Sequence, residues 1–214
     1  MSESKRLFEP RFNSDVLLCS AYLAPVEYYQ AMANHQNVYI EECDHFEKQT
    51  FRNRCRIMTT NQLMDLTVPI IRPKEKCPLR DIQISYQEKW QQLHWRAIES
   101  AYNNSPFFEY YREDYEPLFS KKFEFLVDLN WQLMETTLSL LHLYITPSRT
   151  TVYQKTEELE NCRDARNEFL PKKEYDTTIS PYYQVFSDTF GFQPRLSIID
   201  LLFNMGPESV LYLK

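Results

Sequence analysis

Hydrophobic and polar positions divide the chain into an opening strand–helix–strand unit, a hairpin stretch and a helical half. Residues 15–21 (DVLLCSA) form a short apolar run, the pattern of a buried strand. A loop at 22–25 follows. Pro25 suits the first position of a helix, and Val26, Tyr29, Met32 and Ala33 supply an apolar face as far as His35. Residues 37–42 (NVYIEE) predict a second strand. The order strand, helix, strand is the usual seed of a parallel sheet. Residues 51–58 and 63–71 predict the arms of a hairpin turning at 59–62, with Pro69 near a strand end or on an edge. Residues 81–86 (DIQISY) alternate as another strand, Ile82 and Ile84 on one face.

The pattern then changes to helical spacing. Residues 88–103 place Trp90, Leu93, Ala97, Ile98 and Ala101 on one face. Ser105 is a candidate cap for the next helix, with Pro106 at its first position. Residues 123–144 predict the longest helix, its polar stripe running through Glu124, Asp128, Gln132, Glu135, Ser139 and His142. Residues 146–176 are polar, with a candidate strand at 150–154 and a mobile polar loop expected over 155–176. Residues 196–205 form a nearly all-apolar helix, stopped at Gly206 and followed by Pro207. The whole predicts an α/β protein with a mixed sheet: an N-terminal strand–helix–strand and a hairpin, then a helical half packed on them, one domain over 1–214.

Composition narrows the function classes. With 43% hydrophobic and 25% charged residues the chain can build a sizeable core. No run of about 18 apolar residues marks a membrane span, and the first residues, MSESKRLFEPRFNSD, carry no apolar signal segment. Cys19, Cys43, Cys55, Cys77 and Cys162 are odd in number and scattered, against a disulfide framework or a zinc ribbon, and a reducing cytoplasm is the simplest setting. Only two glycines occur, so neither a P-loop nor a dinucleotide-binding glycine loop can form. Any phosphate must be held by side chains or a helix N-terminus. The net charge of -6 argues against general nucleic-acid binding.

Against that acidic total, KQTFRNRCRI puts Lys48, Arg52, Arg54 and Arg56 within nine positions. On a strand the three guanidiniums share a face; on a helix Lys48, Arg52 and Arg56 do. Clustered Arg suits bidentate binding of phosphate or carboxylate, and Asn53 adds a fork-shaped donor. The other reading is a charged edge strand that discourages aggregation. His94 lies on the apolar face of its helix between Trp90 and Ile98, either a satisfied core histidine or a general acid or base. His35, His45 and His142 show no metal-site spacing. Asn130 falls on the apolar side of the longest helix beside Leu126, Leu133 and Met134; a buried amide there is a structural clamp or a ligand contact. Ser197, Asp200 and Asn204 form one polar stripe on an apolar helix, either its exposed edge or a pocket lining with Asp200 as acid/base or amine anchor. The 22–25 loop after the first strand stands where α/β sheets bind ligands, and Tyr22 and Trp90 offer rings for stacking on a sugar or base.

Together AYLAPVEYY, FEKQTFRNRCRI, LTVPI, KWQQLHWRAIESAYNNSPFFEYY, FLVDLN and GFQPRLSIIDLLFNMGPESVLYL resemble the WbqC-like protein family, in the family's order and over nearly the whole chain. The R-N-R core and the W-x-x-x-H helix ahead of A-Y-x-x-S-P-F-F carry the resemblance most specifically. The family often has H-Q-P-N-Y-L-P after the first strand; here CSAYLAP matches at Tyr22, Leu23 and Pro25 and has Cys19 and Ser20 at the His and Gln positions. The resemblance implies a link with bacterial surface-polysaccharide (O-antigen-type) biosynthesis, in which a glycine-transferase role has been suggested. A transferase adding a small amino-acid or acyl group to a nucleotide-linked or lipid-linked sugar fits it. The expected roles are His94 and Asp200 in catalysis and Tyr22, Lys48, Arg52, Asn53, Arg54, Trp90 and Asn130 in substrate or anion binding. The rival is a binding or assembly protein of such a pathway with no chemistry. No cofactor or oligomeric state is implied.

Overall fold

The strand–helix–strand opening forms as the pattern predicts. In a computed structural model, which describes residues 10–172 and 179–214, strand β1 (Asp15–Cys19) and β2 (Val38–Glu41) are parallel and joined by helix α1 (Val26–Asn34). β1 is buried from Val16 to Cys19, as expected of a strand covered on both faces. Two further parallel strands flank this pair: β5 (Ser148–Arg149) beside β2 and β6 (Cys162–Asp164) beside β1, giving the order β5-β2-β1-β6. The chain therefore builds outward from β1 in one direction, through β2 to β5, and returns to the other side of β1 with β6.

The hairpin is a separate antiparallel pair, β3 (Arg54–Met58) and β4 (Leu63–Thr67), with Arg54 opposite Thr67 and Met58 opposite Leu63. Its turn closes through the Thr59 amide and hydroxyl, both donating to the Gln62 carbonyl. Residues 81–86 keep their alternation, with Ile82 and Ile84 buried, but not a ladder. They make single bridges, Ile84 to Ile70 and Gln83 to Phe125, after a 3-10 turn at Leu79–Asp81.

Helix α2 (Trp90–Tyr102) presents Trp90, His94, Trp95, Ile98, Ala101 and Tyr102 to the core. Leu93, expected on that face, is 58% exposed, because the large indole of Trp95 takes the inward position. The next helix, α3 (Phe108–Tyr115), begins later than Pro106: residues 106 and 107 form a turn, Phe107 stands at the cap, and no side chain caps the helix. Helix α4 (Leu126–Leu140) is shorter than its polar stripe suggests. A short helix, α5 (Ser187–Phe190), precedes α6 (Ile198–Met205). Gly206 ends α6 at positive φ, and a Cβ there would lie 2.5 Å from the Phe107 ring, which explains one of the two glycines.

The polar stretch after residue 146 departs most from expectation. Its strand lies at Ser148–Arg149 rather than 150–154, and within the loop expected over 155–176 the structure places β6 and a 3-10 turn at Thr156–Glu158; residues 173–176 of that loop lie outside the described residues. β6 has no hydrophobic pattern because only its backbone joins the sheet, against β1. One apolar core unites the sheet, the hairpin and the helices. No helix among the described residues is long and apolar enough to cross a membrane.

Candidate functional site

Because chain order reverses between β1 and β6, the carboxyl ends of these strands border the crevice where open α/β sheets place their ligands. A narrow cleft with a free volume of about 20 Å³ opens there, lined by Ser20 and Ala21 after β1, Thr50 and Arg52 from the next loop, and Arg166 and Phe169 after β6. Tyr28 closes one side and donates its hydroxyl to the Cys19 carbonyl (3.0 Å).

The basic cluster divides among different surroundings. Arg52 precedes β3, so it does not join a row with Arg54 and Arg56. Its side chain is 2% exposed and donates Nε to Cys19 Sγ (3.0 Å), one terminal nitrogen to Glu47 (2.7 Å) and the other to Asp44 (3.2 Å). Arg54 and Arg56 do share a strand face, where both bind Asp65 on β4 (3.4 and 2.8 Å). Lys48 is exposed. Asn53 is buried and clamps the hairpin, donating Nδ2 to the Val68 carbonyl (2.8 Å) while its own carbonyl accepts the Val68 amide. Burial raises the Cys19 thiol to about 11, so it stays protonated beside Arg52.

Arg166 is the counterpart of Arg52 across the pocket, and no pattern in the sequence marked it. Its side chain is 3% exposed. It hydrogen-bonds Asp164, donates to the Gln154 carbonyl (2.8 Å), lies 3.6 Å from Glu41 and covers the Tyr153 ring. These hydrogen bonds hold Asp164 down at about 2. Arg149 completes the set, pairing with Glu42 (3.4 Å) and Asp128 (3.2 Å) over the ring of Trp131. Arg52, Arg149 and Arg166 thus meet Glu41, Glu42, Asp44, Glu47, Asp128 and Asp164, so carboxylates outnumber guanidiniums at this edge of the sheet. Burial raises Glu42 above the ordinary carboxylate range.

Asn130 joins α4 to this edge. It is 2% exposed and donates Nδ2 to Ser20 Oγ (3.1 Å) and to the Arg52 carbonyl (2.9 Å). Its Oδ1 is buried with no donor among the described residues. His94 lies behind the site. Its Nδ1 is 2.9 Å from the Tyr22 hydroxyl, the Trp90 ring packs edge-on against it, and the imidazole also hydrogen-bonds the Thr67 backbone. Burial lowers His94 to about 4 and raises the Tyr22 phenol well above its ordinary value. A neutral imidazole therefore accepts from Tyr22 and donates to Thr67.

Asp200 sits in another part of the core. Ser197, Asp200 and Asn204 are all buried rather than forming an exposed edge. Asp200 Oδ2 accepts from Tyr182 (2.7 Å) and Gln184 (2.9 Å), while Ser197 donates to the Leu23 carbonyl and Asn204 to the Asp200 carbonyl. Burial raises Asp200 to about 6, opposed by the side-chain donors around it, Tyr182 and Gln184 foremost. The folded state then holds this proton more tightly than the unfolded chain, so the contribution is full below about 3.8 and lost as pH rises through 6. Wild type should exceed Asp200→Asn in stability by more at pH 4.5 than at pH 7 in urea titrations. An equal difference at both pH values would refute this assignment.

Among the described residues no cluster of His, Cys, Asp and Glu is placed to hold a metal ion. Fold and site define a class: an α/β protein with a small parallel sheet and a polar, ion-paired crevice at its carboxyl edge. The chain belongs to the WbqC-like protein family, whose sequence profile matches residues 20–170, a span that contains every residue lining the crevice except Cys19. It is similar to the uncharacterized protein Rv1507c of Mycobacterium tuberculosis, 27% identical over 220 residues that cover 91% of this chain and 95% of the relative. No solved structure matches the chain.

Proposed function

We propose that the protein is a cytoplasmic transferase of bacterial surface-polysaccharide synthesis that adds a small amino-acid or acyl group to a nucleotide-linked or lipid-linked sugar. The observation that carries this reading is the crevice at the switch point between β1 and β6. Its lining alternates guanidinium donors, hydroxyls and an aromatic wall (Arg52, Arg166, Ser20, Thr50, Phe169). Sugar hydroxyls both donate and accept, so they suit such a lining. Arg52 still has terminal N–H groups beyond its ion pairs to offer a phosphate or carboxylate. Asn130 orients the site by holding Ser20 and the Arg52 backbone. His94, Tyr22 and Trp90 stiffen the loop behind it.

The test is a thermal-shift screen with nucleotide-sugars, acyl donors and aminoacyl donors. A ligand at about 100 times its Kd adds about 2.7 kcal/mol, or about 5–10 °C for a chain of this size. Arg52→Ala should abolish the shift, and Arg52→Lys, which keeps the charge but not the fork, should reduce it. An undiminished shift in folded Arg52→Ala would remove Arg52 from the site. A second reading, a binding or assembly protein without chemistry, is favoured by one observation: His94 and Asp200 are both engaged inside the core. A blank screen would support it.

A further inference from the structure

The cleft at the carboxyl ends of β1 and β6, with a free volume of about 20 Å³, has room for about one water molecule. A sugar or a phosphate enters only if a wall moves. The wall after β1 is fixed: the Ser20 amide donates to the Glu41 carbonyl (3.2 Å), Asn130 bonds both Ser20 Oγ and the Arg52 carbonyl, and the Arg52 guanidinium is paired with Asp44 and Glu47. After β6, Arg166 is anchored by Asp164 and the Gln154 carbonyl. The Glu168 amide then closes a turn on the Ala165 carbonyl (3.2 Å), and Phe169 and Leu170 form the wall beyond it. Among the described residues, no backbone–backbone hydrogen bond ties residues 170–172 to the sheet or the hairpin. Side chains hold this wall across the cleft. Lys172 Nζ donates to Gln49 Oε1 (2.7 Å) at an exposed position, Arg56 Nη1 reaches the Pro171 carbonyl (3.5 Å), and Phe169 meets Tyr28 edge-on with centroids 5.9 Å apart. Gln49 itself has φ of 61°, a left-handed conformation that costs free energy in any residue but glycine.

We propose that residues 169–172 are a lid over the crevice, closed in this structure and latched by Lys172 to Gln49. The lid swings on the turn after Arg166, which stays in place, and carries Phe169 away from Tyr28. Opening joins the cleft to solvent and uncovers its floor, where Cys19 lies beside Arg52. The inference rests on the crevice of the reading above as the binding site and not on its chemistry.

Two buried thiols supply the test. Cys19 lines the cleft, whereas Cys55, on β3, is 0% exposed and outside it. The full chain is labelled with N-ethylmaleimide in urea concentrations below the unfolding transition, and each site is read by peptide mass spectrometry. A local opening exposes little surface, so the Cys19 rate should change little with urea, while the Cys55 rate should climb steeply as global unfolding does. Lys172→Ala should raise the Cys19 rate about two- to fivefold, the worth of one hydrogen bond, and leave Cys55 unchanged. Lys172→Arg, which can still donate to Gln49, should stay near wild type. Equal urea dependence at the two thiols would overturn the lid, because the cleft would then open only with the whole fold. An unchanged Cys19 rate in Lys172→Ala, or a parallel rise at both thiols, would also overturn it. Nucleotide-sugar stabilisation with the two thiols behaving alike would reject the lid and leave the transferase reading standing. Local Cys19 labelling with a blank ligand screen would keep the lid and reject that reading.

Discussion

Replacing Arg166 with Met should lower stability by about 3–5 kcal/mol, the usual cost of removing one partner from a buried ion pair. The flexible Met stem keeps part of the packing, so the loss reports mainly on charge and hydrogen bonds. Glu41 is 0% exposed, and Arg166 is its guanidinium partner. Its Oε1 already accepts the Cys43 amide and the Thr150 hydroxyl, but neither neutralises a carboxylate. Without Arg166, the buried Glu41 side chain has lost its guanidinium partner. The same change releases Gln154 and Thr156, which Arg166 ties to the end of β6. Urea unfolding of Arg166→Met, Glu41→Gln and the double variant forms a cycle. The double variant should recover much of the loss, because a neutral amide at position 41 no longer needs a counter-charge. A loss below about 1 kcal/mol in Arg166→Met would show that the pair is solvated, as surface pairs are.

Arg166 also shows where a sequence stops informing on a site. The strand–helix–strand opening was legible because apolar runs, Pro25 and the second strand all agree, and local agreement of this kind is what specifies a fold. Asn130 was legible as an amide on an apolar helix face, and its burial follows from that placement. The KQTFRNRCRI cluster was legible as charge, but not as three environments. Strand alternation applies only from Arg54 onward, and Arg52 lies two residues outside the ladder, buried and turned toward Asp44 and Glu47. Arg166 gave no such signal. It follows a three-residue strand whose side chains are only partly buried, within a charged stretch. Its burial depends on β6 finding β1 from more than a hundred residues away, a pairing set by backbone hydrogen bonds that leave no periodicity. The one available hint was the R-D-A-R run, of which Arg166 pairs with Asp164 while Arg163 turns to Glu168. Asp200 failed for a related reason: its partners Tyr182 and Gln184 come from an irregular segment, so the stripe on α6 resembled an exposed edge.

His94 should make the protein less stable as pH falls from about 6.5 to about 4, by roughly 3 kcal/mol at full extent, since each pKa unit corresponds to about 1.4 kcal/mol. The unfolded chain takes up a proton in this window and the folded imidazole does not, so stability rises with pH there. Protonation would give Nδ1 a hydrogen where Tyr22 now donates, leaving two donors face to face in the core. Asp200 acts with the opposite sign over nearly the same window, from about 3.8 to 6, and Glu42 works in the direction of Asp200. The two main effects therefore largely cancel, and wild type should show a shallow pH profile between 4 and 6. Single variants expose each component. His94→Gln, which keeps a donor and an acceptor, should lose stability as pH rises through this range, because Asp200 is then unopposed. Asp200→Asn should gain stability over the same rise, because His94 is then unopposed. The double variant should return to a shallow profile. Urea midpoints at pH 4.5, 5.5 and 6.5 measure all four. Parallel profiles for wild type and His94→Gln would mean that the imidazole titrates as it does in water, and that the Tyr22–His94–Trp90 cluster behind the crevice is open to solvent.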